Sequence, residues 1–170
     1  MGFEADAPVV RLRDIDIEQA RRLLGLFSLQ LRLVADGTAI PGSYWGECEA
    51  GLIGSCVYAR ADTPVHSLLH ESCHLMVIPA ERRQAVHTDA SDSVPEENAA
   101  CYLQLLLADR LDGFGFARAC ADMDLWGYSF RLGSARAWFE RDAEDAIAFL
   151  AEHGLHPLPP APALQPAAEP

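Results

Sequence analysis

The segment His70-Glu71-Ser72-Cys73-His74 contains the residue types of a metal-dependent hydrolytic site, in the pattern HExxH. Residues four positions apart on a helix lie on the same face, one turn above the other. Two imidazoles in this arrangement can bind one metal ion, typically Zn²⁺, at about 2.0–2.1 Å. The pattern therefore predicts that His70 and His74 are zinc ligands on a helix.

Glu71 follows the first of these histidines and is predicted to be the catalytic base. From there its carboxylate can take a proton from a zinc-bound water and pass it to a leaving amine. The predicted reaction is direct attack of that water on a peptide carbonyl. The competing interpretation is that two partly buried histidines happen to line one face of a helix.

A catalytic zinc site needs a third protein ligand. The longer pattern HExxHxxGxxH is absent, because the next histidine after the motif is His87. The better candidates are Glu96 and Glu97, at the start of the next strongly apolar segment. Two helices would then bring two histidines and one glutamate together, with either glutamate as the third ligand.

The sequence HESCH at 70–74 followed by EENAACYL at 96–103 resembles the gluzincin pattern, in which a second helix opens with ExxA and an apolar run. The chain is most similar to the compact bacterial ImmA/IrrE-like metallopeptidases and more distantly similar to the HtpX-like ones, over roughly 43–111. The resemblance implies a minimal zincin-like domain with one zinc ion, and hydrolysis of a peptide bond in a peptide or protein substrate.

The residues after the third ligand depart from this resemblance. Families of this kind usually place Asp or Asn four residues after the ligand glutamate, where it supports a zinc-bound histidine. That position is Cys101 if Glu97 is the ligand, and an alanine if Glu96 is. Gln104, a further turn along, favours Glu97, whereas Tyr102 favours Glu96.

Other side chains could complete the site. Tyr44, Tyr58 and Tyr128 are candidates for a phenol that hydrogen-bonds the tetrahedral intermediate. Tyr128 is preferred, because its glycine-flanked stretch could form a mobile wall of a cleft. Arg131 beside it could hold a substrate carboxylate, and His66, one turn before the motif, is expected to pack or to support a ligand.

Hydrophobic periodicity and turn signals predict an α+β domain, in which a small antiparallel or mixed sheet packs on a helical core that includes the HExxH helix. The domain is expected over 1–154, and the Pro/Ala-rich tail 155–170 is expected to be disordered. The predicted helices cover 15–35, 63–77, 80–86, 96–111, 116–123 and 134–153; strands are predicted within 43–47 and 52–58, a polar loop at 88–95, and an aromatic loop or short strand at 125–133.

Charge and composition exclude several classes of partner. The net charge of −12 argues against a nucleic-acid surface and against docking on an anionic membrane. The opening residues carry acids where a secretion signal carries Lys or Arg, and the five cysteines form no disulfide-scaffold spacing. We therefore expect a cytoplasmic protein with reduced thiols.

Two functions follow from these observations. The first is a zinc metallopeptidase, in which the segment 43–59 would offer a sheet edge for an extended peptide. The second is a non-catalytic, zinc-stabilised regulatory or binding domain, in which the metal holds two helices together. Glu71 favours the enzyme, because a purely structural site does not need it. The apolar face of 134–153 fits a core as well as an interface, so no oligomeric state is predicted.

Overall fold

The structure is a computed structural model that describes residues 8–158 of the 170-residue chain. Its architecture is α+β, as predicted, with one small mixed sheet and seven α-helices in the described range. In chain order the elements are a 3-10 helix (Leu12–Asp14), α1 (Ile17–Gly25), β1 (Gln30–Leu33), β2 (Gly51–Ile53), β3 (Cys56–Ala59), α2 (Val65–Met76), α3 (Ala80–Arg83), α4 (Val94–Ala108), α5 (Gly115–Trp126), α6 (Ala135–Arg141) and α7 (Glu144–Glu152).

The sheet has the strand order β1-β3-β2. β3 is the central strand: it pairs in parallel with β1, with Gln30 opposite Cys56, and antiparallel with β2, with Gly51 opposite Tyr58. β2 and β3 form a tight hairpin, so the predicted strand segment 52–58 is two strands joined by a turn rather than one. Val57 on β3 is fully buried and faces the helical core.

Helix α4 is the centre of the helical layer and packs against α2, α5 and α7. Its apolar residues lie on all sides of the helix, as expected for a helix that is enclosed by its neighbours. Ala99, Leu103, Leu105 and Leu107 are fully buried. Helix α2 is also buried along nearly its whole length, between α4 and the sheet. The two helices that carry the HExxH and EENAACYL segments are thus in direct contact.

The predicted helix over 15–35 is wrong in its second half. Helix α1 ends at Gly25, the chain turns through Ser28 with a φ of 61°, and β1 follows. Leu29 and Leu31 are buried while the residue between them is exposed, which is the alternation of a strand. An alternation this short also fits the spacing of apolar residues on a helix. The periodicity therefore did not distinguish a strand from a helix in this segment.

The predicted strand at 43–47 is wrong: this segment forms a loop that touches the sheet through one bridge, between Ser43 and Gly51. The backbone passes so close to β2 that a Cβ on Gly51 would overlap the carbonyl oxygen of Pro41. At Gly42 the φ is 71°, and a Cβ there would overlap Leu52. Glycine at these two positions therefore allows the loop to lie directly against the sheet.

The predicted single helix over 134–153 is two helices. Helix α6 ends before Asp142, whose backbone leaves the helical region with a φ of −146°. The Asp142 carboxylate pairs with Arg131 on the preceding loop. After Ala143 the chain restarts as α7, which packs on α4. The apolar periodicity runs through the break, so it did not reveal the change of direction.

Other boundaries differ by a few residues. Helix α2 begins after Pro64 rather than after a Thr63 cap, since the Thr63 hydroxyl accepts a hydrogen bond from the backbone N–H of Arg60. Helix α4 begins at Val94 and includes Pro95 in its first turn. Helix α5 extends to Trp126, beyond the predicted 116–123.

At the carboxyl end, Leu155 and Leu158 pack against the core. The remainder of the predicted tail, 159–170, lies outside the described residues. Over 8–158, none of the helices combines the length and the apolar character needed to cross a membrane.

Candidate metal centre

Three side chains from α2 and α4 converge on one point. His70 and His74 lie one turn apart on α2, and Glu97 lies in the first turn of α4. The Nε2 atoms of the two histidines are 3.1 Å apart. The Glu97 carboxylate lies 3.3 Å from Nε2 of His70 and 2.7 Å from Nε2 of His74. Within the described residues this is the group of acidic, histidine or cysteine side chains that could hold a metal ion.

The donor set and its spacing fit zinc. Ligands at about 2.0–2.1 Å in a tetrahedron lie about 3.3–3.4 Å from one another. The His70–His74 and His70–Glu97 separations lie at or slightly below that value, whereas the His74–Glu97 separation of 2.7 Å is that of a hydrogen bond. Two histidine nitrogens and one carboxylate are a ligand set of catalytic zinc sites, which leave the fourth position open.

The orientation of His70 is set by Gln104, three residues past Cys101 on α4. The Oε1 atom of Gln104 lies 2.7 Å from Nδ1 of His70, and Gln104 is fully buried. An amide oxygen can only accept, so Nδ1 carries a proton; when the ring is neutral, Nε2 therefore holds the lone pair, which is directed at the centre. This is the tautomer that a metal ligand needs.

His74 lacks an equivalent support within the described part of the chain. Its Nδ1 atom is buried and has no hydrogen-bond partner there. The position of this ring is instead fixed by packing in α2, where its residue is 8 % exposed. The two predicted ligands are therefore oriented in different ways, His70 by a hydrogen bond and His74 by packing.

The ionisation of the group suits a cation. Burial alone would raise the pKa of Glu97, but its hydrogen bonds with the His70 and His74 rings lower that pKa well below its ordinary value. For His70, burial acts to lower the pKa, and the neighbouring Tyr128, Cys101 and Glu97 outweigh it and raise the pKa. Glu97 is thus a carboxylate at neutral pH, and the metal-free centre attracts positive charge.

Of the two glutamates that the sequence left open, the structure brings Glu97 to the histidines and not Glu96. Glu96 forms an ion pair with Arg82 of α3, at 2.6 Å. That pair lowers the pKa of Glu96. The two residues are adjacent on α4 and so point about 100° apart. Only one of them can face α2.

Glu71 lies beside this centre and lines the same cleft. Burial raises the pKa of its carboxyl; the His70 and His74 rings act in the opposite direction, and the charges of Glu49 and Glu97 add to the rise. A raised pKa makes the Glu71 carboxylate a better proton acceptor, and its acid form can then release that proton to a leaving group. This is the property that the predicted role of Glu71 requires.

The cleft has a volume of about 840 Å³ and is open to solvent. Its walls come from α2, from the loop before β2, from the loop 88–91, from the start of α4 and from the loop after α5. Glu49 also lines the cleft, and it was not singled out from the sequence. Its carboxylate accepts a hydrogen bond of 2.8 Å from Nε1 of Trp126, and burial raises its pKa.

Tyr128 lies against the centre, at the end of α5. Helix α5 stops at Gly127 with a φ of 101°, and the backbone N–H of Tyr128 returns to the carbonyl of Met123. The Tyr128 ring meets the His70 ring edge-on, at 5.5 Å between centroids. Its hydroxyl lies 3.2 Å from Nδ1 of His66. The phenol is therefore next to the site, with its hydroxyl engaged by a histidine that is not a ligand.

The other sequence candidates are distributed as follows. His66 is fully buried, which lowers its pKa to about 3, so its ring is neutral and supports Tyr128 rather than binding a metal. Tyr44 lines the cleft mouth and Tyr58 lies outside the cleft. Arg131 lines the cleft, and its guanidinium is paired with Asp142. Of the tyrosines, Tyr128 is the one that touches a predicted ligand.

The edge of β2 is not open to an added strand, contrary to the expectation for 43–59. The Leu52 N–H donates to the carbonyl of Gly42, and the Leu52 carbonyl accepts from the N–H of Thr88. The Gly54 N–H donates to Val86. The loops around Gly42 and Val86 therefore already occupy this edge, and the segment 88–91 forms the wall of the cleft instead.

Comparison of the chain with family models, with curated proteins and with solved structures finds no match. The likeness to gluzincins therefore rests on the motif residues alone, and it stays a prediction.

Proposed function

We propose that this chain is a zinc-dependent, metallopeptidase-like hydrolase of the gluzincin type, in which Glu71 is the catalytic base for peptide-bond hydrolysis. The observation that carries the proposal is the convergence of His70, His74 and Glu97 on one point at the floor of an open cleft. The same cleft is lined by Glu71, the one residue of the motif that a structural metal site would not use.

In this proposal each side chain has a defined task. His70, His74 and Glu97 hold the ion, and Gln104 keeps the Nε2 lone pair of His70 directed at it. A bound zinc ion would supply Lewis acidity, which polarises the scissile carbonyl and acidifies water. Glu71 accepts the proton of the attacking water and delivers it to the leaving amine. Tyr128 lies where a phenol could donate to a developing oxyanion once it leaves His66.

The alternative is a zinc-stabilised binding domain without turnover. It is supported by the position of the three ligands, which link α2 to α4 in the way a structural metal would. Against it, α2 and α4 already pack through buried apolar side chains, so the metal is not needed to hold them. A structural site is also closed by four protein ligands, whereas the residues from 8 to 158 supply three.

The test is metal content by elemental mass spectrometry, on protein purified without a histidine tag. We expect about one zinc per chain, lost in His70→Ala and in Glu97→Gln. The matched control is Glu96→Gln, the neighbouring residue on α4, which should keep its zinc because its carboxylate faces Arg82.

Turnover separates the two functions. Zinc-loaded protein is incubated with a mixed peptide library, and new termini are identified by mass spectrometry. We expect cleavage that Glu71→Gln abolishes while its zinc content is unchanged. Stoichiometric zinc without cleavage of any peptide would favour the binding domain. Absence of zinc, with the variants folded like the parent, would overturn both.

A further inference from the structure

The walls of the cleft carry a strong negative charge and an exposed aromatic pair. We propose that the cleft takes a peptide segment that carries lysine or arginine side chains. The inference rests on the proposed function, because it names the substrate class of the same site. It goes beyond that function, because nothing in the metal centre itself selects for charge.

Acidic side chains dominate the lining. Around the cleft stand seven carboxylates: Glu49, Glu71, Asp89, Glu97, Asp142, Glu144 and Asp145. Burial raises the pKa of Glu49 and of Glu71, so these two carboxyl groups can be protonated. A divalent ion on the histidines, together with Arg131, would offset three of the other five negative charges. The cleft thus remains negative with zinc in place, and a concave surface of one sign concentrates ligands of the opposite sign.

Arg131 is the sole arginine or lysine among the lining residues that the structure describes. Its guanidinium is bound by the carboxylate of Asp142, on the break between α6 and α7. It is therefore engaged and does not present a free positive charge to a ligand. An acidic peptide would meet repulsion on most sides of the cleft.

Glu144 and Asp145 are exposed acids in the first turn of α7, just after the break at Asp142, and both line the cleft. The helix dipole places about half a positive charge at a helix N-terminus. This offsets part of the charge of two carboxylates and leaves the rest to act on a ligand. These two residues are the best place to remove charge without touching the metal centre.

The second observation is independent of charge. Tyr44 and Trp45 are 62 % and 55 % exposed, and they are the two aromatic side chains among the exposed large apolar residues of the described range. Their rings meet edge-on at 5.0 Å between centroids, at the mouth of the cleft. The loop that carries them is held on the sheet by Gly42 and Gly51. Aromatic faces beside carboxylates attract guanidinium and ammonium groups.

The test measures binding separately from cleavage. The protein is zinc-loaded Glu71→Gln, which should bind without cutting. Three labelled peptides of equal length share the same apolar residues and differ in bearing three arginines, three glutamines or three glutamates. Fluorescence anisotropy gives their affinities at low and at high salt.

We expect the arginine peptide to bind at least about tenfold more tightly than the glutamate peptide at low salt, with the difference shrinking as salt screens the charges. Adding Glu144→Gln and Asp145→Asn should lower the affinity for the arginine peptide about 3- to 10-fold. Trp45→Ala should lower the same affinity about 2- to 10-fold. The matched control, Asp36→Asn with Glu152→Gln, removes two exposed acids outside the cleft and should leave the affinity unchanged.

The outcomes separate the inference from the proposed function. Preferential binding of the arginine peptide, lost in the cleft variant and kept in the control, supports the inference even if the parent protein cuts none of the three peptides. Equal binding of all three peptides overturns it, even if the parent protein cuts the glutamine peptide. An equal loss in the cleft and control variants also overturns it, because the effect would then come from overall charge.

Discussion

The Oε1 atom of Gln104 on α4 lies 2.7 Å from Nδ1 of His70 on α2. This one contact sets the tautomer of a predicted zinc ligand from a second helix. Gln104 also donates from Nε2 to the carbonyl of His66, at 3.4 Å, so its amide is oriented at both ends. The orientation of this predicted ligand therefore depends on a residue outside the group of His70, His74 and Glu97.

Replacement of Gln104 by leucine should weaken zinc binding. Loss of the acceptor frees the His70 ring to rotate and to change tautomer, and such supporting partners are worth about 10- to 100-fold in metal affinity. Gln104→Glu keeps an acceptor at the same place and should retain most of the affinity. The measurement is competition for zinc with a chelator of known affinity. Unchanged affinity in a folded Gln104→Leu protein would mean that packing alone orients His70.

Removal of the Tyr128 hydroxyl should lower kcat more than it changes KM. Tyr128→Phe keeps the ring against His70 and removes the donor, and loss of one donor to an oxyanion costs about 10²- to 10³-fold in kcat. Zinc content should be unchanged. Tyr58→Phe is the matched control, because Tyr58 lies outside the cleft. If Tyr128→Phe leaves kcat intact, the hydroxyl serves only to pair with His66.

The Glu71 carboxylate should cost stability in the metal-free protein. Burial raises its pKa, so the folded state binds this proton more tightly than the unfolded chain does. Above the pKa that Glu71 has in the folded state, its buried charge lowers the free energy of unfolding. This destabilisation disappears as the pH falls and the carboxyl is protonated. Glu71→Gln should raise Tm at pH 7, by about 2–4 °C for each kcal/mol of relief.

The same substitution should have little effect at pH 4, where the parent is also protonated at this site. Glu96→Gln is the control, because removal of its charge should affect Tm in the opposite direction. Its pKa is lowered by Arg82, so its charge stabilises the fold at neutral pH and its removal should not raise Tm. Thermal unfolding of the three metal-free proteins at both pH values checks the prediction. An equal rise of Tm at both pH values would show that the effect does not come from the charge.

Local features of the site were predictable from the sequence, because they depend on spacing within one helix. His70 and His74 are four residues apart, and any helix through them places both rings on one face. The choice between Glu96 and Glu97 was not local. It depends on how α4 is rotated against α2, which is set by buried residues such as Leu103 and Leu107 at the centre of the core.

The errors in the fold have the same origin. The strand β1 exists because Gln30 to Leu33 pair with β3, whose residues lie 26 positions further along the chain. The pattern at 30–33 alone fits a helix equally well. The break between α6 and α7 lies at Asp142, which pairs with Arg131 of the preceding loop, another contact that spacing within one segment does not show. Glu49 was likewise passed over, since its place in the cleft depends on Trp126, 77 residues away.

Glu49 should control the pH at which Glu71 loses activity. The Glu49 charge raises the pKa of Glu71, so a neutral side chain at 49 lowers that pKa. As a base, Glu71 is active when deprotonated, and kcat/KM of the parent should fall as the pH drops through its pKa. In Glu49→Gln this acidic limb should move to lower pH, while the glutamine oxygen still accepts from Trp126.

The measurement is kcat/KM of the zinc-loaded protein against pH, with a neutral peptide substrate. Glu47→Gln is the matched control, because Glu47 is exposed two residues away and does not line the cleft. It should leave the acidic limb in place. A limb that moves equally in both variants would reflect the overall charge of the protein. If the acidic limb disappears in Glu49→Gln, or the variant is inactive at every pH, then Glu49 and not Glu71 is the group whose ionisation limits activity.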